Sequence, residues 1–221
     1  MFIGHYAVGF GTKKGTPHIS LGTLFLAVQF LDLLWPIFLL LGWEHVRIDP
    51  GNTAFTPLDF YDYPISHSLL TAAGWGVLVG ACYYAIRRNW KGAVVLFACV
   101  LSHWILDFFV HRPDLPLFPG SATLVGLGLW NEVPATIVIE GGIFIVGVYL
   151  YLRTTKSKDR TGVYALWCLI AFLVLTWIMN MVSAPPPSER AIAVVSLGLW
   201  LIVPWGYWIE RHRVPLAVYE K

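Results

Sequence analysis

The sequence predicts an all-α membrane protein: a polytopic bundle of about six transmembrane helices, preceded by a short N-terminal half-helix. Three observations predict it. Of 221 residues, 57% are hydrophobic and only 13% charged, where a soluble globular domain carries about 25% charge. Mean hydropathy is +0.65, and six segments approach the roughly 20 apolar residues that a bilayer-crossing helix needs. The basic residues alternate between successive connections, as the bias toward cytoplasmic loops requires. The same composition excludes a disordered chain. A net charge of +2, with no basic stripe, gives no case for nucleic acid. Cys82, Cys99 and Cys168 stand singly in apolar runs, which is neither a disulfide framework nor a CxxC site. By length, residues 1–221 form a single integral membrane domain.

The elements follow in order. Met1 to Phe10 is apolar at once and runs into Lys13 and Lys14, without the basic start and small-residue cleavage site of a signal peptide. It is too short to span and reads as a half-inserted or interfacial helix. Spans are expected near residues 19–42, 66–86, 92–110, 133–152, 162–182 and 191–209. Lys13 and Lys14, then Arg87, Arg88 and Lys91, then Arg153, Lys156, Lys158 and Arg160, and finally Arg211, Arg213 and Lys221 occupy alternate connections. They are twelve of the fifteen basic residues. The opposite connections hold Arg47, Arg112 and Arg190 beside Glu44, Asp49, Asp59, Asp62, Asp114, Glu132 and Glu189. Both termini are therefore expected in the cytoplasm, with residues 43–65 and 111–132 outside. Those two loops are rich in Pro, Asp and aromatics, and loops of such length are often functional. Trp35, Trp43, Trp130, Trp200, Trp205 and Trp208, near span ends, read as interfacial anchors.

Three carboxylates, Asp32, Asp107 and Glu140, fall within the expected spans. An intramembrane charge costs roughly 2.5–3.5 kcal/mol on insertion scales, which makes each a candidate functional group. His103 lies in the third span, His67 near the start of the second and His5 in the N-terminal segment. With the topology above, these groups converge on one level in the outer half of the membrane. The sharpest local pattern is Ser102-His103-Trp-Ile-Leu106-Asp107, followed by His111. Residues four apart share a helix face, so His103, Asp107 and His111 form a stripe of imidazole and carboxylate, ligand types suited to Zn²⁺ and other first-row divalent ions. The same spacing also serves a His–Asp pair that glues helices together. His5 reads equally as an interfacial histidine, and the serines beside His67 as helix caps. Asp32 precedes Pro36, whose missing N–H is expected to kink the span there. Glu140, followed by Gly141 and Gly142, reads as a supporting group, a proton carrier or a further ligand. Arg112 is placed to meet an anionic substrate as a planar donor fork. His18 and His45 read as interfacial and His212 as a tail residue.

The series His5, Asp32, His67-Ser68 and Ser102-His103-xxx-Asp107 resembles the membrane-bound metal-dependent hydrolases, the YdjM-like or DUF457 proteins, over about the first 120 residues. The ligand order is also similar to that of the zinc-dependent phospholipase C group. The resemblance implies that His67, His103 and Asp107 hold one ion and that His5 with Asp32 holds a second, Asp107 bridging. Two departures bear on that second site. The family's His-Arg-Gly before the Thr-His-Ser element is replaced by Asp62-Tyr-Pro-Ile, and its Pro-Asp-x-Asp is reduced to Leu31-Asp32-Leu-Leu. The spans at 133–210 carry no motif and read as accessory. The expected function is a metal-dependent hydrolase in a bacterial inner membrane, using one or two divalent ions such as Zn²⁺ on a phosphoester or ester of a lipid-like substrate. Glu140 and Arg112 are its expected catalytic residues. The rival expectation is a proton- or cation-coupled transporter that uses the same carboxylates.

Overall fold

A computed structural model describes residues 1–216; Lys221, counted above among the basic residues, lies outside them. Helices form in all six segments where spans are expected, the first of them as a bent pair. Helix α1 (Ile3–Thr12) is followed by α2 (Leu21–Val28) and α3 (Phe30–Leu41), then by strands β1 (His45–Ile48) and β2 (Leu58–Asp62). The short α4 (Pro64–His67) leads into α5 (Leu69–Arg87) and α6 (Trp90–Val110). After the two-residue strands β3 (Leu115–Pro116) and β4 (Leu124–Val125) come α7 (Val133–Thr154), β5 (Thr155–Ser157) and α8 (Arg160–Val182). The last span joins α9 (Glu189–Ser196), a 3-10 turn and α10 (Ile202–Arg211), and β6 (Arg213–Pro215) pairs back on β5. Five helical segments are long and apolar enough to cross a membrane, or up to six if α2 and α3, bent by 55° to each other, are one span. The fold is an all-α polytopic bundle, as predicted, and its apolar outer surface sits in a lipid bilayer.

Local chemistry sets these boundaries. Side chains of Ser20, Ser68, Asn89, Asp159 and Ser188 each accept from a backbone N–H in the first turn of the helix they precede, satisfying donors that have no partner within the helix. Gly42, at φ +67°, closes α3 in the left-handed conformation that glycine adopts without strain. The first span bends by 55° at Gln29, not at Pro36, which lies inside α3. The expected kink thus sits two turns earlier in the chain, and proline is not its cause.

The N-terminal helix is neither interfacial nor exposed. Ile3, Gly4, His5, Tyr6, Ala7, Gly9 and Phe10 are all buried, and α1 packs into the bundle along α7, α2 and α6. A Cβ on Gly147 of α7 would lie 2.7 Å from the Cα of Ala7, so the two backbones touch because glycine stands there. At one end of the bundle, loops 43–65 and 111–132 pack together: Asp59 pairs with Arg112, and Phe55 stacks on Trp130. At the other end, Lys13 meets Glu210, and β5 pairs with β6.

Candidate metal centre

Four elements bring the candidate ligands together: α1 carries His5, α3 carries Asp32, α4 ends on His67, and α6 carries His103 and Asp107. His5, His103 and Asp107 form one group and Asp32, His67 and His103 another, each with its ligand atoms within 4.8 Å of one another. His103 Nε2 is 3.1 Å from Asp107 Oδ2 and 3.5 Å from Asp32 Oδ1; His67 Nε2 is 3.4 Å from Asp32 Oδ1 and 3.9 Å from Asp107 Oδ2. His5 Nε2 lies 3.1 Å from Asp107 Oδ1, so the two oxygens of that carboxylate face different histidines. The α-amino group of Met1 is 2.5 Å from the same Oδ1. The rings of His5 and His103 stack 3.6 Å apart. The resemblance would set Asp32 beside His5; the fold sets it with His67 and His103.

The donor set fits a divalent ion. Ligands about 2.0–2.1 Å from a tetrahedral centre stand a little over 3 Å from each other, and these separations match. His103 Nε2 and both nitrogens of His5 are buried without a hydrogen-bond partner, although carboxylates are close. Of these, His5 Nε2 and His103 Nε2 lie against Asp107 and can each offer a lone pair to an ion held there. An orphaned buried polar atom is otherwise costly.

The supporting contacts fix which nitrogen is free. His103 Nδ1 bonds to the carbonyl of Val28 at 2.7 Å, at the bend in the first span. Since a carbonyl only accepts, Nδ1 carries the proton and Nε2 is left to the site. His67 Nδ1 meets Ser66 Oγ at 2.6 Å, and that hydroxyl donates to Glu44 Oε2 at 2.6 Å. Glu44 also accepts from the backbone N–H groups of Ile65 and Ser66, both at 2.7 Å. It is fully buried, and that burial raises its carboxyl pKa despite these bonds. Along the chain, Glu44 is legible only as an acidic residue in a loop. Its carboxylate accepts from first-turn N–H groups of α4 that lie 21 and 22 residues later in the chain, a contact that only the fold creates. Ser68, by contrast, caps α5 as expected.

Three predicted residues lie elsewhere. Helix α6 stops at Val110, so His111 leaves the stripe; its Nδ1 bonds to Asp114 Oδ1 at 2.9 Å, and its ring lies against Trp130. Tyr63 donates to the same Asp114 oxygen at 3.0 Å, and burial together with that carboxylate raises its pKa well above the usual phenol value. Arg112 is paired with Asp59 and lies 3.5 Å from Asp114, its fork already occupied. Glu140 is fully buried; it accepts from Gly4 N at 3.2 Å and from Trp177 Nε1 at 3.1 Å. It thus holds the N-terminal turn of α1, where a carboxylate is favoured by the helix dipole.

A cavity of about 840 Å³ opens over the site and is lined by Asp32, His67, Asp107 and His111, but not by Glu140 or Arg112. Trp35 and Trp130, expected as interfacial anchors, are buried in its wall. Trp43, Trp200 and Trp208 are exposed as anchors should be.

Fold and site together define a polytopic membrane protein with His/Asp groups able to hold a metal ion at one end of its bundle. The YdjM inner membrane protein family model matches residues 64–184, just over half of the chain. The chain belongs to this family of inner membrane proteins. The match spans α4 to α8, including His67, His103 and Asp107, and so extends into spans where no motif was legible. A curated relative, the ABC multidrug transporter atrI of Aspergillus fumigatus, is 29% identical over 101 residues, which is 40% of this chain and 7% of that protein. The chain thus corresponds to a small part of that relative's length. No solved structure matches the chain.

Proposed function

We propose that this protein is a membrane-embedded metal-dependent hydrolase that cleaves an ester or phosphoester of a lipid, with its site opening toward the outer leaflet. The observation that carries the reading is the pair of His/Asp groups at the floor of a large cavity, with buried ring nitrogens that have no protein partner. Asp32, His67, His103, Asp107 and His5 would hold one or two divalent ions, Zn²⁺ being the natural choice for imidazole and carboxylate ligands. A divalent ion supplies Lewis-acid polarisation of a phosphoryl or carbonyl oxygen and acidifies water. The outward orientation rests on the alternation of basic residues.

The chain's own groups supply the rest. Glu140 is engaged with Gly4 and Trp177 and faces away from the cavity, so proton transfer passes to His111. Asp114 holds a proton on His111 Nδ1, leaving Nε2 to give or take one in the cavity, and Tyr63 secures the carboxylate. Trp35 and Trp130 wall water out around the reacting group. Transport finds less support. Tyr6, Phe10, Leu24 and Phe25, all fully buried, fill the bundle between the site and Lys13, where a conducting path needs polar groups.

Purified protein, loaded with zinc, is expected to cleave a phospholipid or lipid ester in mixed micelles. Elemental analysis should find bound metal in the wild type and none in His103→Ala. His111→Gln should keep the metal and lose about 10²- to 10⁴-fold in rate, the usual contribution of a general acid–base group. Metal-loaded wild type that cleaves neither bond would hand the protein to the transport reading.

A further inference from the structure

The cavity continues far beyond the His/Asp groups, and the hydrolytic chemistry uses none of that part. Phe172, Thr176 and Met179 of α8 form one wall, and Val195, Leu199 and Ile202 of the last span form the other. Every cavity residue contributed by these two spans is uncharged. Met179 and Val195 are also exposed on the outer surface of the bundle, which meets hydrocarbon. The slot therefore reaches the lipid sideways, between α8 and the last span. From Phe172 to Ser183 it follows α8 for ~16 Å at 1.5 Å per residue, about half of a ~30 Å hydrocarbon core.

We infer that this slot receives the hydrocarbon chain of an amphiphile drawn from one leaflet, entering between α8 and the last span, while its headgroup meets Asp32, His67 and Asp107. Three features point to this occupant. The slot is continuous with the polar groups, its walls carry no charge and are apolar apart from Thr176, Asn180, Ser183 and Ser196, and its length is that of one leaflet. A bilayer is as apolar as the slot, so burying the chain gains little affinity. What the slot gives is register: it sets the depth at which the headgroup stops. The fate of that headgroup rests on the hydrolase reading; seating of the chain does not.

The test therefore reads position without chemistry. The full-length protein is placed in phosphatidylglycerol vesicles after chelation of divalent ions. A lysophosphatidylglycerol with a diazirine at its acyl end is added and irradiated, and adducts are mapped by peptide mass spectrometry. Adducts should concentrate on residues 172–183 and 191–202, above the lipid-facing surface of α7 around Val138 and Ile145. Gly198 lines the slot, and a Cβ there meets nothing within 4 Å. Gly198→Phe should fill the slot and lower those adducts to the α7 level, with helix content and metal content unchanged. Gly142→Phe, at an α7 position equally free of neighbours, should leave them as they were. Even labelling of slot and α7, or slot labelling that survives Gly198→Phe, overturns the inference. Slot labelling in a protein that cleaves nothing would uphold it and sink the hydrolase instead; cleavage without slot labelling would do the reverse.

Discussion

The two ends of α1 carry opposite kinds of buried polar group. At one end His5, 1% exposed, has neither ring nitrogen hydrogen-bonded. At the other Lys13, equally buried, has all three of its protons placed: on the carbonyls of Pro17 and Ile19, at 3.1 and 2.7 Å, and on Glu210 at 2.5 Å. Both are buried ionisable residues, and burial of such a group alone marks both as candidate sites. What separates them is satisfaction. Lys13 finishes its hydrogen bonding within the protein and is an anchor. His5 does not, and its neighbours Asp107 and His103 offer further lone pairs toward the same space.

If that contrast is right, substitutions at the two ends should fail in different ways. The largest effect is expected at the site. Asp107→Asn should bring bound metal to background by elemental analysis while the helical signal persists; full metal content in this variant would remove the centre altogether. Lys13→Met should do the opposite, keeping the metal. It leaves Glu210 and two carbonyls without their partner, and breaking a buried pair from one side costs about 3–5 kcal/mol, read as a lowered denaturation midpoint in detergent. A metal deficit in Lys13→Met at temperatures where it is folded would show that the ends are not separable.

Smaller changes sharpen the picture. Ser66→Ala cuts the link from Glu44 to His67, and loss of such an orienting contact lowers metal affinity by about 10- to 100-fold; competition with a chelating dye measures it. Glu140→Gln should retain both metal and hydrolysis and lose about 1 kcal/mol of stability, the worth of a typical hydrogen bond, because its partners are Gly4 and Trp177. Hydrolysis abolished in this variant would return Glu140 to the chemistry. The smallest effect belongs to the α8 start, where His212 and the N–H of Gly162 hold the exposed Asp159 carboxyl below its usual pKa. A depressed carboxylate adds stability above its unfolded pKa, and that stability is lost as pH falls through the folded one. Hydrogen exchange near Gly162 should therefore quicken below about pH 4, where an unperturbed Asp titrates, and Asp159→Asn should be indifferent there.

Much of this was readable in the chain. The six spans follow from apolar run length alone, and His103 with Asp107 follows from helical spacing, which α6 preserves. The approach of His5, Asp32 and His67 to that pair needed only their shared depth. Other features depend on partners distant in sequence. The stripe reached to His111 on the assumption that α6 continued, but the helix ends one residue short. Arg112 looked available because Asp59, 53 residues earlier, was only a loop carboxylate. Glu140 looked unpaired because its donors are a backbone N–H of α1 and an indole of α8. The bend appears at Gln29, where no proline marks it, beside a Val28 carbonyl that His103 engages from another helix. For Arg112 and Glu140 the local pattern was sound, and a contact across the bundle decided the outcome.

The burial of α1 has a consequence for how the protein is made. Its N-terminal turn is held by Glu140, 136 residues later in the chain than Gly4, and its packing face is the glycine-bearing side of α7. At ~5–20 residues per second the ribosome takes about 7–27 s to reach that partner. Until then α1 has only α2 and α6 to pack against. Seating of α1 is thus completed only once α7 has been made, and His5 then joins ligands that all lie between residues 32 and 107.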